Sequence, residues 1–321
     1  MRIPVRRALL AVLTLIAGSA VSLPAVSPAQ AAACPSGELS ASALPQRNAP
    51  GGCVAPGRTV RGVKAAATVP APGHGVVATA LLVGGEETLD VSTAADGTVT
   101  IRTSKDAGGR ATAAAAPAAC SDNTYVLFPW YYGVGGSYYW YYAPADDSRS
   151  GLSSADAEAA VVNATRAIVA GYNDCGLGGQ PNVNQTYGGR VGVGPNITGS
   201  GCGQSDAWSI TGWGSYGDGV LAVTCTWYQP NGSRGIVQTS DMLANYNYVW
   251  WNGRGACPNN GWSFDLESVT THERGHTFGL NHPPSGHDEE TMAAAVYNCS
   301  TNFRTLALGD FNGLISLYGY R

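Results

Sequence analysis

The run T-H-E-R-G-H-T-F-G-L-N-H, residues 271–282, constrains this chain more than any other feature of its sequence. Residues four apart on a helix share one face, so His272 and His276 can point their imidazoles at one metal ion. Gly279 can adopt a positive φ at no steric cost, which lets the helix end and brings His282 back as a third ligand. Glu273 follows the first ligand and can reach a metal-bound water without binding the metal itself. Three protein ligands and one open coordination position predict a catalytic zinc site.

The alternative is that these histidines are ordinary packed or solvated side chains. The chain has only five histidines, and three of them lie inside the pattern. That concentration favours the metal site. The other two, His74 in a Pro/Gly-rich stretch and His287 in a polar loop, are predicted to be solvated.

The N-terminus has the pattern of a signal peptide. Residues 1–33 combine the basic opening M-R-I-P-V-R-R, an apolar run and small residues before Cys34. The apolar run is too short to span a bilayer, which takes about 20 apolar residues in a helix. Eight cysteines, none in a C-x-x-C pair, predict four disulfides in an exported chain. We therefore expect a secreted, extracellular protein with no membrane span.

The charge pattern excludes one class of partner. The net charge is −4, and no basic stripe with interleaved aromatic residues is present of the kind that nucleic-acid binding requires. We expect a monomer that does not bind nucleic acid.

Composition divides the rest of the chain into three segments. Residues 34–103 contain alternating runs on both sides of Asp96-Gly97, which predicts a β-hairpin. Residues 104–119 are low in complexity and contain two basic residues, which predicts a linker open to proteolysis. Residues 120–321 are rich in aromatic residues and glycine and contain the histidine motif. We interpret residues 34–103 as a region separate from 120–321.

Periodicity predicts mixed elements in residues 120–321. The predicted strands are 137–144, 219–227 and 234–240, and the predicted helices run from Ser153 to Tyr172, from Asp265 through the motif, and from Asp310 to Tyr318. Ser153 and Asp265 are suitable N-cap residues.

The segments Asp265–His282, Thr291-Met292 and L-A-L-G-D-F-N-G-L-I-S-L-Y-G (306–319) resemble the metzincin metalloproteases, and within them the matrixins. The resemblance covers roughly Gly219–Gly319. It implies an α+β metzincin-like catalytic domain with a twisted mixed β-sheet, an active-site helix, a Met-turn and a C-terminal helix, preceded by a small β-containing N-terminal region. By position, that N-terminal region resembles a propeptide or an accessory domain.

The resemblance also implies roles for single residues. Met292 matches the Met-turn that lies beneath the zinc. Val223 stands where vertebrate matrixins have a histidine for a second, structural zinc, so we expect one zinc only.

In the family, substrate backbone adds to an exposed edge strand above the cleft. This implies substrate-binding roles for Gly219, Val220, Leu221 and Ala222, and for Tyr297 in the wall of an apolar pocket.

The implied activity is hydrolysis of peptide bonds in protein or peptide substrates by a zinc-activated water, with Glu273 as general base. One alternative is a zinc hydrolase that acts on cell-wall peptide crosslinks. A second is a non-catalytic secreted binding protein with a vestigial site. Calcium binding by loops that contain Asp206, Asp218 and Asp241 is left open.

The segment G-G-C-V-A-P-G around Cys53 is similar to the matrixin cysteine switch, in which a thiolate occupies the open zinc position. Because the chain is exported, we expect a Cys34–Cys53 disulfide instead.

Overall fold

The computed structural model describes residues 34–107, 119–199 and 201–321. The predicted signal peptide, residues 1–33, and residues 108–118 of the predicted linker lie outside the described residues.

The N-terminal part is built from strands. They are β1 (Leu39–Ser40), β2 (Arg47–Asn48), β3 (Thr59–Arg61), β4 (Ala66–Thr68), β5 (His74–Leu82), β6 (Gly85–Thr93) and β7 (Val99–Ala107). The predicted hairpin is confirmed, because β6 and β7 pair antiparallel around the turn that contains Asp96-Gly97. β5 pairs with β6 as well, so the three strands form a meander, and β7 runs four residues into the segment predicted to be linker.

The C-terminal part mixes strands with three α-helices. Before the histidine motif it contains β8 (Val126–Leu127), β9 (Trp130–Tyr131), β10 (Ser137–Tyr142), α1 (Ser154–Ala170), β11 (Asn184–Arg190), β12 (Ile197–Thr198), β13 (Gly201–Cys202), β14 (Ile210–Gly214), β15 (Val220–Gln229), β16 (Gly235–Asn245), β17 (Trp250–Trp251) and β18 (Phe264–Asp265). The motif forms α2 (Leu266–Thr277), which β19 (Leu280–Asn281) and α3 (Leu308–Tyr318) follow. The predicted helices and longer strands are thereby confirmed, and the architecture is α+β.

One large sheet joins the two parts. Its order is β11-β10-β14-β16-β15-β5-β6-β7-β2, with β9 paired to β16. The central junction is antiparallel pairing of β5 with β15, from Val220 opposite Leu82 to Tyr228 opposite Gly75. Pro35–Arg321 therefore forms one compact unit. The meander of β5, β6 and β7 therefore extends the same sheet against which α2 packs.

The sheet has an apolar cluster on each face, as the period-two alternation of strands requires. Leu81 and Ala222 pack into a cluster with residues of α1, α2 and α3. Ala78, Ala80 and Val223 belong to a second cluster on the opposite face, with residues of β3 and β6. Odd-numbered residues of β5 near position 80 therefore face the helix that carries the histidine motif.

Disulfides close the loops of both parts. The bonds are Cys120–Cys175, Cys202–Cys225 and Cys257–Cys299, and Cys34 and Cys53 are disulfide-bonded as well. No cysteine in the described residues is free, which agrees with the predicted use of all eight. Within the described residues, none of the helices is both long and apolar enough to cross a membrane.

Asp265 fixes the start of α2. Its Oδ1 accepts the backbone N–H of Ser268 at 2.8 Å, which satisfies one of the free donors of the first turn. The same carboxylate accepts two bonds from Arg304, Nε to Oδ1 at 2.8 Å and Nη2 to Oδ2 at 2.5 Å. The Asp265 side chain is fully buried, whereas that of Arg304 is 27% exposed. The loop before α3 is thus attached to the start of the motif helix.

We predict that Arg304→Gln lowers the free energy of unfolding by about 2–3 kcal/mol, because it leaves a buried carboxylate without its cation while Arg304 itself is partly solvated. Arg190→Gln is the matched control, since it removes the same group from a surface pair with Glu158 and should have a much smaller effect. Urea unfolding of the disulfide-intact protein measures both. Equal losses in the two variants would contradict the role given to Asp265.

Candidate metal centre

Three imidazoles meet at the end of α2. His272 and His276 lie one turn apart, and the chain reverses at Gly279, whose φ is +96°, to place His282 beside them. Nε2 of His276 lies 3.2 Å from Nε2 of His272 and 3.1 Å from Nε2 of His282. A Cβ at position 279 would lie 2.6 Å from the carbonyl oxygen of Trp130, so close packing also requires glycine there.

The outer nitrogens of the helix histidines are held by backbone carbonyl groups. Nδ1 of His272 lies 2.8 Å from the carbonyl oxygen of Thr291, and Nδ1 of His276 lies 3.0 Å from that of Leu280. A carbonyl oxygen can only accept, so each Nδ1 carries the proton. In the neutral imidazole this leaves Nε2 as a lone-pair donor, the arrangement typical of metal ligands.

A carboxylate from the N-terminal meander completes the cluster. Oε2 of Glu86 on β6 lies 2.8 Å from Nε2 of both His272 and His282. Its Oε1 lies 3.0 Å from Nε2 of His276. Asp106 on β7, the cross-strand neighbour of Glu86, places Oδ2 2.9 Å from Nδ1 of His282. The sequence predicted an open fourth position beside the three histidines, and in the chain described here the carboxylate of Glu86 lies at that place.

The donor set requires a cation. The ligand atoms of Glu86, His272, His276 and His282 all lie within 4.8 Å of one another, and the four residues are buried. Lone pairs at such distances repel unless a proton or a metal ion lies between them. Burial alone would lower the pKa of His282, but the charges of Glu86 and Asp106 raise it to about 9. Imidazole nitrogens and a carboxylate are ligands that Zn²⁺ binds tetrahedrally, so the residues fit zinc.

Glu273 lies beside this cluster and is fully buried. Its Oε2 lies 3.5 Å from the hydroxyl group of Thr79 on β5, and its Oε1 has no protein hydrogen-bond partner. Burial and then the negative charge of Glu86 raise the pKa of Glu273 to about 8. A carboxyl group that titrates near neutral pH is suited to taking up and releasing a proton.

Met292 packs against the motif helix α2 at Gly275. It is buried, and an added Cβ at Gly275 would lie 2.0 Å from its Sδ. The backbone N–H groups of Thr291 and Met292 donate to Asp310 on α3, at 2.6 and 3.2 Å. Helix α3 therefore holds the turn against the stretch of α2 between the two helix histidines, and Gly275 provides the necessary space.

The predicted substrate strand is not a free edge in this structure. Val220, Leu221 and Ala222 lie on β15 and are fully buried, and Gly219 directly precedes the strand. One side of β15 pairs with β16 and the other with β5. The expectation of an exposed edge is therefore wrong for the chain with its N-terminal part in place, because β5 supplies the hydrogen-bond partners.

A cavity of about 250 Å³ lies beside the third motif histidine. Ala293 and Ala294 line one side of it, and Lys105, Asp106 and Ala107 of β7 line the other. Its small alanine side chains are those expected to leave room for a substrate side chain.

Tyr297, predicted to form a pocket wall, is not among the residues that line this cavity. Its ring is 38% exposed and lies 5.7 Å from that of Phe303, between centroids.

The remaining candidate residues have structural partners. Cys53, the candidate thiolate, is disulfide-bonded. His74 is exposed as predicted. His287, also predicted to be solvated, is only partly so: its side chain is 25% exposed, and its Nδ1 lies 2.6 Å from Oδ2 of Asp122.

Of the three candidate calcium ligands, Asp206 and Asp218 are exposed. Asp241 is buried and accepts the backbone N–H groups of Asn196 and Ile210, at 2.6 and 2.7 Å. Burial raises the pKa of Asp241 to about 7. Its carboxylate organises two loops, and calcium binding stays a prediction.

Glu86 and Asp106 were missed by the sequence analysis. A signal was present, because Glu86-Glu87 interrupts an otherwise apolar β-pattern, and a buried carboxylate needs a partner. The side chains of Glu86 and Glu87 point to opposite faces of β6. Glu87 accepts the backbone N–H groups of residues 63–65, so only Glu86 reaches the histidines.

Comparison with known proteins agrees with this geometry. The matrixin family model matches residues 206–319, about a third of the chain, from the loop before β14 to the end of α3. This part of the chain is matrixin-like. The match includes the three histidines, Glu273 and Met292, and it supports a zinc metalloprotease. No curated protein matches the chain.

We predict that Gly275→Ala destabilises the matrixin-like part, because the clash with buried Met292, about 1–3 kcal/mol, outweighs the gain of about 1 kcal/mol in helix propensity. In a Met292→Ala background the clash is gone, and the same substitution should stabilise the protein. A double-mutant cycle on urea unfolding measures the difference. If Gly275→Ala has the same sign in both backgrounds, Met292 does not pack against α2 as described.

Proposed function

We propose that this chain is a secreted zinc-dependent endopeptidase. His272, His276 and His282 are the proposed zinc ligands, and Glu273 is the proposed general base. The observation that carries the proposal is the convergence of the Nε2 atoms of three histidines, each with its Nδ1 beside an acceptor, next to the buried carboxyl group of Glu273. The matrixin-like span and the disulfide-bonded cysteines support the same conclusion.

The proposed mechanism gives separate roles to the zinc ligands, Glu273 and Met292. Zinc, when bound, lowers the pKa of a water molecule and polarises the scissile carbonyl group. Glu273 accepts the proton of the attacking water and delivers it to the leaving amine. In the described chain, where Glu86 lies beside it, burial and the charge of Glu86 raise the pKa of Glu273. Met292 supports the helix that holds two of the ligands.

The proposed substrates are proteins or peptides in extended conformation. Gly219 and the start of β15, Val220–Ala222, form the proposed edge that binds substrate backbone, whatever the side chains of the peptide. The cavity beside Ala293 and Ala294 is the proposed site of the substrate side chain next to the cleaved bond. These two small side chains leave room for an apolar residue, and Ser285, His287 and Asp288 line other parts of the cavity. Tyr297 does not line this cavity, and its place in the wall of a substrate pocket stays a prediction.

We predict that the purified protein contains close to one zinc per chain, bound by the three motif histidines. Metal analysis of His282→Ala should show a clear loss of zinc, because a third ligand is removed. His74→Ala is the control, since His74 is exposed and outside the cluster, and it should keep its zinc. Full zinc content in His282→Ala would remove that residue from the ligand set.

We predict that Glu273→Gln lowers turnover about 10²- to 10⁴-fold with zinc still bound, because the amide keeps the size of the side chain but cannot accept the proton. Casein hydrolysis by the chain cut within residues 108–118 and freed of its N-terminal part is the measurement. Turnover close to that of the unsubstituted protein would exclude Glu273 as the base. Hydrolysis of peptidoglycan crosslinks without action on casein would select the cell-wall alternative.

A further inference from the structure

The N-terminal meander reaches each component of the proposed active site. Glu86 of β6 touches the three histidines, and Asp106 of β7 touches the outer nitrogen of one of them. Thr79 of β5 lies 3.5 Å from the carboxylate of Glu273. Lys105–Ala107 line the cavity proposed for the substrate side chain. No other segment among residues 34–107, 119–199 and 201–321 contributes a carboxylate to the histidine cluster.

The backbone of the meander also takes the place proposed for substrate. Strand β5 pairs antiparallel with β15 over Val220–Tyr228, including the stretch proposed to bind a peptide. The chain then turns at residues 83–84 and returns as β6, which begins beside the histidines. A substrate strand and β5 would need the same N–H and C=O groups of β15, so they cannot bind together.

Contacts of the neighbouring residues fix the position of Glu86. The carboxylate of neighbouring Glu87 accepts the backbone N–H groups of Val63, Lys64 and Ala65, which ties the start of β6 to the loop before β4. Asp106 is the direct cross-strand partner of Glu86. The start of β6 is thus held on both sides, while the carboxylate of Glu86 points into the histidine cluster.

We propose that residues 34–107 keep the enzyme latent, with Glu86 as an inhibitory fourth zinc ligand and β5 as an occupant of the substrate strand site. This inference rests on the proposed function. A glutamate carboxylate replaces the water that hydrolysis requires, and no bond is made or broken in the process. Removal of the N-terminal part, after cleavage in the predicted linker, restores the open fourth position and the free edge of β15 together.

The first test measures the metal site and not activity. Full-length chains are prepared in a Glu273→Gln background, which prevents self-processing, and loaded with cobalt(II). Glu86→Gln should change the visible absorption of the bound cobalt and raise the rate of metal loss to a chelator at least about tenfold, because a carboxylate ligand is lost. Glu38→Gln, in a surface pair with Arg61 of the same N-terminal part, should change neither. An unchanged spectrum in folded Glu86→Gln overturns Glu86 as a ligand.

The second test measures how tightly the N-terminal part is held. A cleavage site for a sequence-specific protease is placed within residues 108–118, and the cut chain is analysed by size exclusion at decreasing concentration. Glu86→Gln should weaken retention of the N-terminal part at least about thirtyfold, as expected when one member of a buried charged contact is removed. Equal retention with and without Glu86 would overturn its role as the latch.

Activity separates this inference from the proposed function. With Glu273 intact, the uncut chain should hydrolyse casein at least about tenfold more slowly than the cut and separated chain, since substrate and β5 compete for one strand site. An uncut, intact chain with full activity overturns latency. If the separated, zinc-loaded domain cleaves nothing, the proposed function fails, whereas the cobalt spectrum still decides whether Glu86 is a metal ligand.

Discussion

The structure depends on the convergence of three imidazole nitrogens and one carboxylate at a single buried point. Each outer nitrogen of the three histidines is fixed by a different element: the turn before Met292, the short strand β19, and β7 of the N-terminal meander. The cluster therefore determines where α2 must end and where three other segments must lie. A buried set of lone pairs is unfavourable without positive charge, so the same geometry that organises the fold also creates the affinity for a cation.

The N-terminal meander contacts both the edge of β15 and the histidine cluster. An unpaired edge such as that of β15 is open to non-specific pairing, and an open zinc position is reactive. Pairing of β5 covers the first, and Glu86, which lies against the histidines, fills the second in our proposal. A carboxylate has an advantage over a thiolate in an oxidising environment, because it needs no reduced cysteine. All eight cysteines of this chain are disulfide-bonded, so a free thiol is not available for that purpose.

Local patterns could be predicted from the sequence, and contacts between distant segments could not. The N-caps Ser153 and Asp265, the turn at Asp96-Gly97 and the histidine spacing act within a few residues, so their physics is contained in short stretches of sequence. Glu86 is 186 residues from His272, and the paired residues of β5 and β15 are 138 to 153 positions apart, from Val220 with Leu82 to Tyr228 with Gly75. Local propensity does not indicate which strand pairs with an edge. A free edge and an open metal position were therefore expected, whereas in the structure β5 pairs with that edge and Glu86 lies among the histidines.

The same contact that blocks the site also affects the environment of Glu273. In the described chain, burial and the charge of Glu86 both raise the pKa of Glu273, and Thr79 of β5 lies against its carboxylate. In the proposed activation, departure of the meander removes the charge, the neighbouring hydroxyl group and part of the burial together, and it admits water to the carboxylate. Because Glu86, Thr79 and the substrate-competing strand belong to adjacent strands of one meander, they must leave as a unit. The proposed latency therefore implies that the substrate-competing strand, the inhibitory carboxylate and the neighbour of Glu273 are released together.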